Sequence, residues 1–325
     1  MSSTYNVRLR SARMVQLITA ALICAVSMAA QPACAVVLND TAIGSPALAV
    51  FNGNLYLAWT GTDSNNTLNI ARLDASGTSI VTQKTVGSNR SFTGPALAAY
   101  SGNLYLAWTG SVGSGENLNI AVSSDGLDFT GHKLVGSNTS FTSPALAASS
   151  SALYIAWAGN DPNHTLNAAY SIDGLDFTGQ VELSGVSTGS EPALAVYNSY
   201  LYLGYSSPGE PPPEALLASS ITPPLSFSAT GIPIINGSSG AGPALGTVNG
   251  ELFLGWNGLP NNLSGGLNVA TFQNANTPQT IPLITQETIA EQTGTNPALA
   301  GFNGHLYLAW TGTNNKHNIN IVQVY

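Results

Sequence analysis

Pro-Ala-Leu occurs six times, beginning at Pro46, Pro95, Pro144, Pro192, Pro243 and Pro297, with successive intervals of 49, 49, 48, 51 and 54 residues. A second phrase follows each copy at nearly constant distance: Leu55-Tyr56-Leu57-Ala58-Trp59 in the first unit, with Trp108, Trp157, Trp256 and Trp310 at the same place in others and Tyr205 in the fourth. A period of this size confines the chain to architectures in which each unit buries its apolar face against the next.

Within a unit, residues 47–51 and 55–59 are short alternating runs joined by Asn52-Gly53-Asn54. Asn-Gly between two such runs predicts a β-hairpin, and it returns as Asn249-Gly250 and Asn303-Gly304. A polar loop leads to a third run at 68–71, and a second tight turn, as in 123–129 and 171–177, leads to a fourth. Four antiparallel strands per unit describe a propeller blade, whereas a β-solenoid coil would be shorter and would lack the hairpins. The expected fold is all-β: a six-bladed β-propeller over residues 36–325. Because the last unit ends after its third strand, an N-terminal strand at 36–38 and the neighbouring residues is expected to supply the fourth and close the ring. Loops between strands two and three and between units then share one face. They include 61–66, 87–94, 159–165 and 312–317, and ligand sites are expected there.

Residues 1–35 stand outside the repeat. Arg8, Arg10 and Arg13 precede an apolar run over 17–30, and Ala33-Cys34-Ala35 offers small residues for cleavage after Ala35. This is the pattern of a secretory signal peptide, and it places the mature chain outside the cytoplasm, secreted or periplasmic and bacterial in style. Both cysteines, Cys24 and Cys34, leave with it, so no disulfide is expected. Three of the eight Lys and Arg also leave, and the remaining five face sixteen acids, a net charge of −11. Nucleic acid and membrane insertion are disfavoured as partners. The Gly, Ser, Thr and Asn that dominate suit a neutral glycan or a cell-surface protein.

Ser123-Ser124-Asp125-Gly126-Leu127-Asp128-Phe129 and Ser171-Ile172-Asp173-Gly174-Leu175-Asp176-Phe177 resemble the Asp-box of the sialidase-type propeller superfamily. The resemblance implies the fold, and it implies that Asp125 and Asp173 bond to their own turns. It does not carry sialidase catalysis. That chemistry grips a carboxylate with three arginines, and residues 36–325 contain two, Arg72 and Arg90.

The repeated Trp59, Trp108, Trp157, Trp256 and Trp310 have two readings, packing between blades and stacking on sugar rings. Asn69, Asn119, Asn167, Asn268 and Asn320 recur in the third strand, where bonding across blades to backbone is the expected role. Asp63, Glu116 and Asp161, with Asn314 at the place of Asp63, are candidate partners for ligand hydroxyls, and His164 and His317 occupy matching loops. No metal or cofactor site is expected. The leading expectation is a non-catalytic, lectin-like binding propeller. The alternative is a glycoside hydrolase or lyase using Asp63, Glu116, Asp161 or Glu210. Blade four, with Tyr205, Leu216 and Pro211-Pro212-Pro213, breaks the symmetry.

Overall fold

The computed structural model describes residues 35–110, 116–207, 213–228, 232–238, 241–258, 266–272, 283–289 and 291–325. Residues 1–34, Glu210 and Pro211-Pro212 lie outside them. Among the described residues are six four-stranded antiparallel sheets and no helix. The first blade runs Ala47–Phe51, Asn54–Thr60, Thr67–Leu73 and Ile80–Arg90 in spatial as well as sequence order. The inner strands Ala47–Phe51, Ala96–Tyr100, Ala145–Ala148, Ala193–Tyr197, Ala244–Val248 and Ala298–Phe302 adjoin one another in a ring, the last against the first. The chain is a six-bladed β-propeller.

Closure follows from the missing strand. Val36–Thr41 pairs antiparallel with Asn318–Gln323, Val36 opposite Ile321 and Val37 opposite Asn320, and becomes the outer strand of blade six. The pairing takes in 36–38 and their neighbours out to Thr41, with a register shift on the way. Without it the sixth sheet would have three strands, with Asn318–Gln323 as its exposed edge.

Six hydrophobic clusters form the core, and each draws on two adjacent blades. The alternation of the second strand explains this. Leu57 and Trp59 project toward blade six, while Tyr56 and Ala58 project toward blade two. All five Trp are between 0 and 2 % exposed, and Tyr205 occupies the same niche in blade four. Packing is therefore their role, and burial leaves no ring face on which a sugar could stack.

Tyrosines on the opposite face of this strand tie blades one, two, three and six each to the next. Tyr56 donates its hydroxyl to Asp125 O (3.2 Å), Tyr105 to Asp173 O (3.2 Å), Tyr154 to Ile221 O (2.6 Å) and Tyr307 to Ser76 O (2.8 Å). Asp125 Oδ1 in turn accepts from the Ser123 hydroxyl and from the N–H groups of Leu127 and Asp128, and Asp173 repeats the pattern. Both are turn-formers, as their sequence implies, and these bonds hold both carboxyls down at about 2. Blade one has an equivalent turn that the sequence pattern did not reveal, because Asp74-Ala75-Ser76-Gly77 lacks the flanking phrase.

Among the described residues the repeated Asn bond within their own blades rather than to the backbone of a neighbour. Asn69 Nδ2 donates to Thr67 O (2.8 Å), and Asn119, Asn167, Asn268 and Asn320 likewise reach the carbonyl two residues back at 2.7–3.0 Å. The same carbonyl accepts the N–H of the Gly that follows the second strand, so one oxygen closes the polar loop from both sides. A side chain at Gly110 would come within 2.5 Å of Asn119 Nδ2, which explains why Gly recurs there. A further difference lies in 87–94, expected as loop. The outer strand continues to Arg90 through an irregularity at Gly87, whose φ is 56°.

Candidate functional site

Antiparallel connectivity puts the loops between strands two and three and those entering each blade on one face, as expected. The residues just before each Pro-Ala-Leu ring the axis there: Ser45, Gly94, Ser143, Glu191, Gly242 and Asn296. With the Pro-Ala-Leu segments most of them line a central cavity of about 110 Å³, in which Glu191 is the one acid among the described lining residues. Glu191 projects from blade four across the mouth. Its carboxylate accepts from the Ser45 hydroxyl of the opposite blade one (2.5 Å) and from the Ser143 hydroxyl of blade three (2.6 Å). Burial pushes this carboxyl up, and the two hydroxyls only partly offset that. Asn296 of blade six locks the backbone beneath it, donating Nδ2 to Glu191 O (3.0 Å) and accepting Gly242 N–H (2.6 Å). Glu191 thus plugs the channel. The sequence did carry a signal for it, a single charge in an otherwise neutral column preceding the repeated proline.

Three residues before the proline a second column opens outward. Ile43, Phe92 and Phe141 are 38, 54 and 42 % exposed on three consecutive blades. Each is fixed by its own N–H, which bonds to the end of its blade's second strand: Ile43 to Thr60 O (3.0 Å), Phe92 to Thr109 O (3.3 Å), Phe141 to Ala158 O (3.0 Å). Blades four and six carry Gly189 and Gly294 at that place, so among the described residues this apolar series stands on one side of the mouth. Phe92 and Phe141, unlike the tryptophans, present exposed rings on this face.

The loop candidates are positioned by their own turns. Asp63 accepts from Asn65 N–H (2.9 Å), Thr67 N–H (3.1 Å) and the Thr67 hydroxyl (3.0 Å), and Asp161 does the same toward Asn163 and Thr165. Slight burial would raise these two carboxyls, but the bonds outweigh it and hold them below the ordinary range. Asn314 makes the corresponding bonds to Lys316 and Asn318 at 3.2 Å. His164 and His317 end their loops in the left-handed region, φ 48° and 54°. The structure does bring some candidates together. His164 stacks on Phe141 at 3.8 Å, and Asn160 donates to Glu116 beside it, so blades two and three share a small polar and aromatic cluster. Asp63, Asn314 and His317 belong to blades one and six and do not join it. No group of three or more His, Cys, Asp or Glu converges as a metal site would among the described residues.

No known family profile matches this sequence, and no curated protein does. Solved structures do match. An unknown-function protein from Dyadobacter fermentans superposes with TM-score 0.60 at 14 % identity, covering 90 % of this chain and 98 % of its own. Trypanosoma rangeli sialidase, in complex with the inhibitor DANA, gives 0.58 at 13 % identity over 87 % of this chain and 55 % of the sialidase. The chain has the sialidase-like β-propeller fold. Bombyx mori GH32 β-fructofuranosidase, solved with sucrose, gives 0.51 at 13 % identity over 86 % of this propeller and 70 % of the enzyme. At such identities the likeness is one of fold.

Proposed function

We propose that this propeller is a secreted, non-catalytic protein that binds neutral glycans on its long-loop face. The observation that carries the reading is the exposed Ile43, Phe92 and Phe141 series, held rigidly beside loops rich in uncharged hydrogen-bonding groups. Aromatic faces match the C–H faces of sugars, and an exposed apolar patch with a polar rim marks a binding surface. Two propellers of the same fold were solved with a sucrose and with a sialidase inhibitor. Hydrolysis of a glycoside takes a pair of carboxyls about 5 to 9.5 Å apart. Among the described residues Glu191 is the one acid lining the channel cavity, while Asp63 and Asp161 are tied into separate loops, which supports binding over catalysis.

A glycan array probed with the protein tests this. Binding to neutral oligosaccharides is expected for the parent and at least a tenfold loss for Phe92→Ala combined with Phe141→Ala; a blank array sinks the proposal. The hydrolase or lyase reading has one observation in its favour, the raised carboxyl of Glu191. Turnover of a polysaccharide that disappears in Glu191→Gln would establish it instead. Export also belongs to the proposal: cleavage after Ala35 would leave the closing strand Val36–Thr41 whole.

A further inference from the structure

Besides the channel mouth, a cleft of about 280 Å³ opens between blades one and two, lined by Asn89 and Arg90 from the first and by Trp108, Asn117, Asn119 and His132 from the second. Comparison of the blades gives it meaning. Arg90 stands where blades two and three have Thr139 and Ser187, and His132 where blades one and three have Gln83 and Gln180. The two departures from the repeat meet in one cleft. Neither is required by packing, since the blade two–three interface is built without them.

The hydrogen bonds assign the state of the cleft. Asn119 donates Nδ2 to Asn117 O (2.7 Å), so its Oδ1 is an acceptor, and His132 Nε2, at 2.7 Å, must be the donor. His132 Nδ1 is then left with its lone pair, with the ring tilted over Trp108 at 5.0 Å, and burial favours this neutral form. Arg90 and the side-chain amides of Asn89 and Asn117 make no hydrogen bond or ion pair among the described residues. The cleft therefore holds one unpaired planar cation, two amides and one acceptor nitrogen, in a protein whose overall charge is negative.

We propose that this cleft binds a hydroxylated carboxylate of one-ring size, such as a uronic acid residue. A single guanidinium pairs a carboxylate with two parallel bonds. Asn89, Asn117 and His132 Nδ1 then take ring hydroxyls. A phosphate, with its greater charge, would call for further cations that the cleft lacks. The volume is just under the range that takes drug-sized molecules and suits one sugar ring. This site does not depend on the Phe92 and Phe141 surface.

Calorimetric titration of the intact protein with sodium glucuronate, glucose and inorganic phosphate is the test. Glucuronate is expected to bind at least tenfold more tightly than glucose or phosphate, and less tightly as salt is raised. Arg90→Thr, which installs the residue of blade two, should bring glucuronate to the level of glucose without changing the melting temperature, and Arg90→Lys should fall between. His132→Gln keeps the bond to Asn119, as Gln180 does toward Asn167 at 3.2 Å, and should weaken binding severalfold. Phe141→Ala should leave it unchanged. Equal affinities for glucuronate and glucose, phosphate binding as tight as glucuronate, an unaffected Arg90→Thr, or loss of binding in Phe141→Ala would each overturn the proposal.

Discussion

Residues that look alike in the repeat divide into those that build blades and those that meet solvent. Trp59 and Phe92 are both recurrent large side chains, yet the first is 1 % exposed and the second 54 %. Trp59→Ala should accordingly cost about 3 to 5 kcal/mol of stability, read from urea unfolding, through the cavity it leaves. Phe92→Ala should leave stability within about 0.5 kcal/mol and act on binding alone. Glu191 gives a pH signature. An acid whose pKa rises on folding holds its proton more tightly in the folded chain, so its contribution favours folding below the unfolded value of about 4.3. That advantage is lost as pH climbs through the raised folded value. Glu191→Gln should therefore gain on the parent as pH goes from 4 to 7; a constant difference in unfolding midpoint would count against the buried carboxyl.

At the scale of the element, the Asp-box hairpin is where one blade grips the next. Gly126 has φ 87°, and a side chain there would lie 2.5 Å from the Tyr56 ring, while Gly174 stands in the same relation to Tyr105 at 2.2 Å. Both backbone freedom and the absence of a side chain are needed. Gly126→Ala should destabilise by about 2 to 3 kcal/mol, combining the φ penalty with overpacking. Tyr56→Phe, which removes one hydrogen bond and keeps the ring, should cost about 1 kcal/mol. Thermal denaturation of the two variants separates the terms, and a Gly126→Ala loss no greater than that of Tyr56→Phe would refute the steric account. The exposed Lys84–Asp128 and Lys133–Asp176 pairs, both 2.7 Å, join neighbouring blades on the outer strands, but their solvent exposure makes them minor.

For the whole molecule, the ring depends on one short strand. Val36–Thr41 covers the ladder of Asn318–Gln323 and buries Leu38 between blades six and one. A chain beginning at Ala42 loses that burial and several ladder bonds, together some kcal/mol, so its melting temperature should fall on the order of 10 °C. The uncovered edge should also promote association, visible in size-exclusion chromatography. An unchanged melt with a monomeric profile would show that the ring holds without its closing strand.

The architecture was legible because a propeller writes its period into the chain: the Pro-Ala-Leu column is a local rule that holds in every blade, and the alternating Leu-Tyr-Leu-Ala-Trp strand and the Asn-Gly turns are rules that recur, with substitutions, from blade to blade. The six-fold count, four-strand blades and N-terminal closure all follow from those rules. The roles of Asp125 and Asp173 were equally readable, since an Asx turn is a local event. Which side of a strand faces a neighbour, and so whether the tryptophans stack on sugar or on the next blade, was decided by the packing of blades about an axis. The same holds for the repeated Asn, whose amides close their own loops, and for Glu191, whose two partners lie 146 and 48 residues away. Periodicity identifies what the blades share. Only the closed ring brings the exceptions together, Glu191 at the axis and Arg90 with His132 in one cleft between two blades.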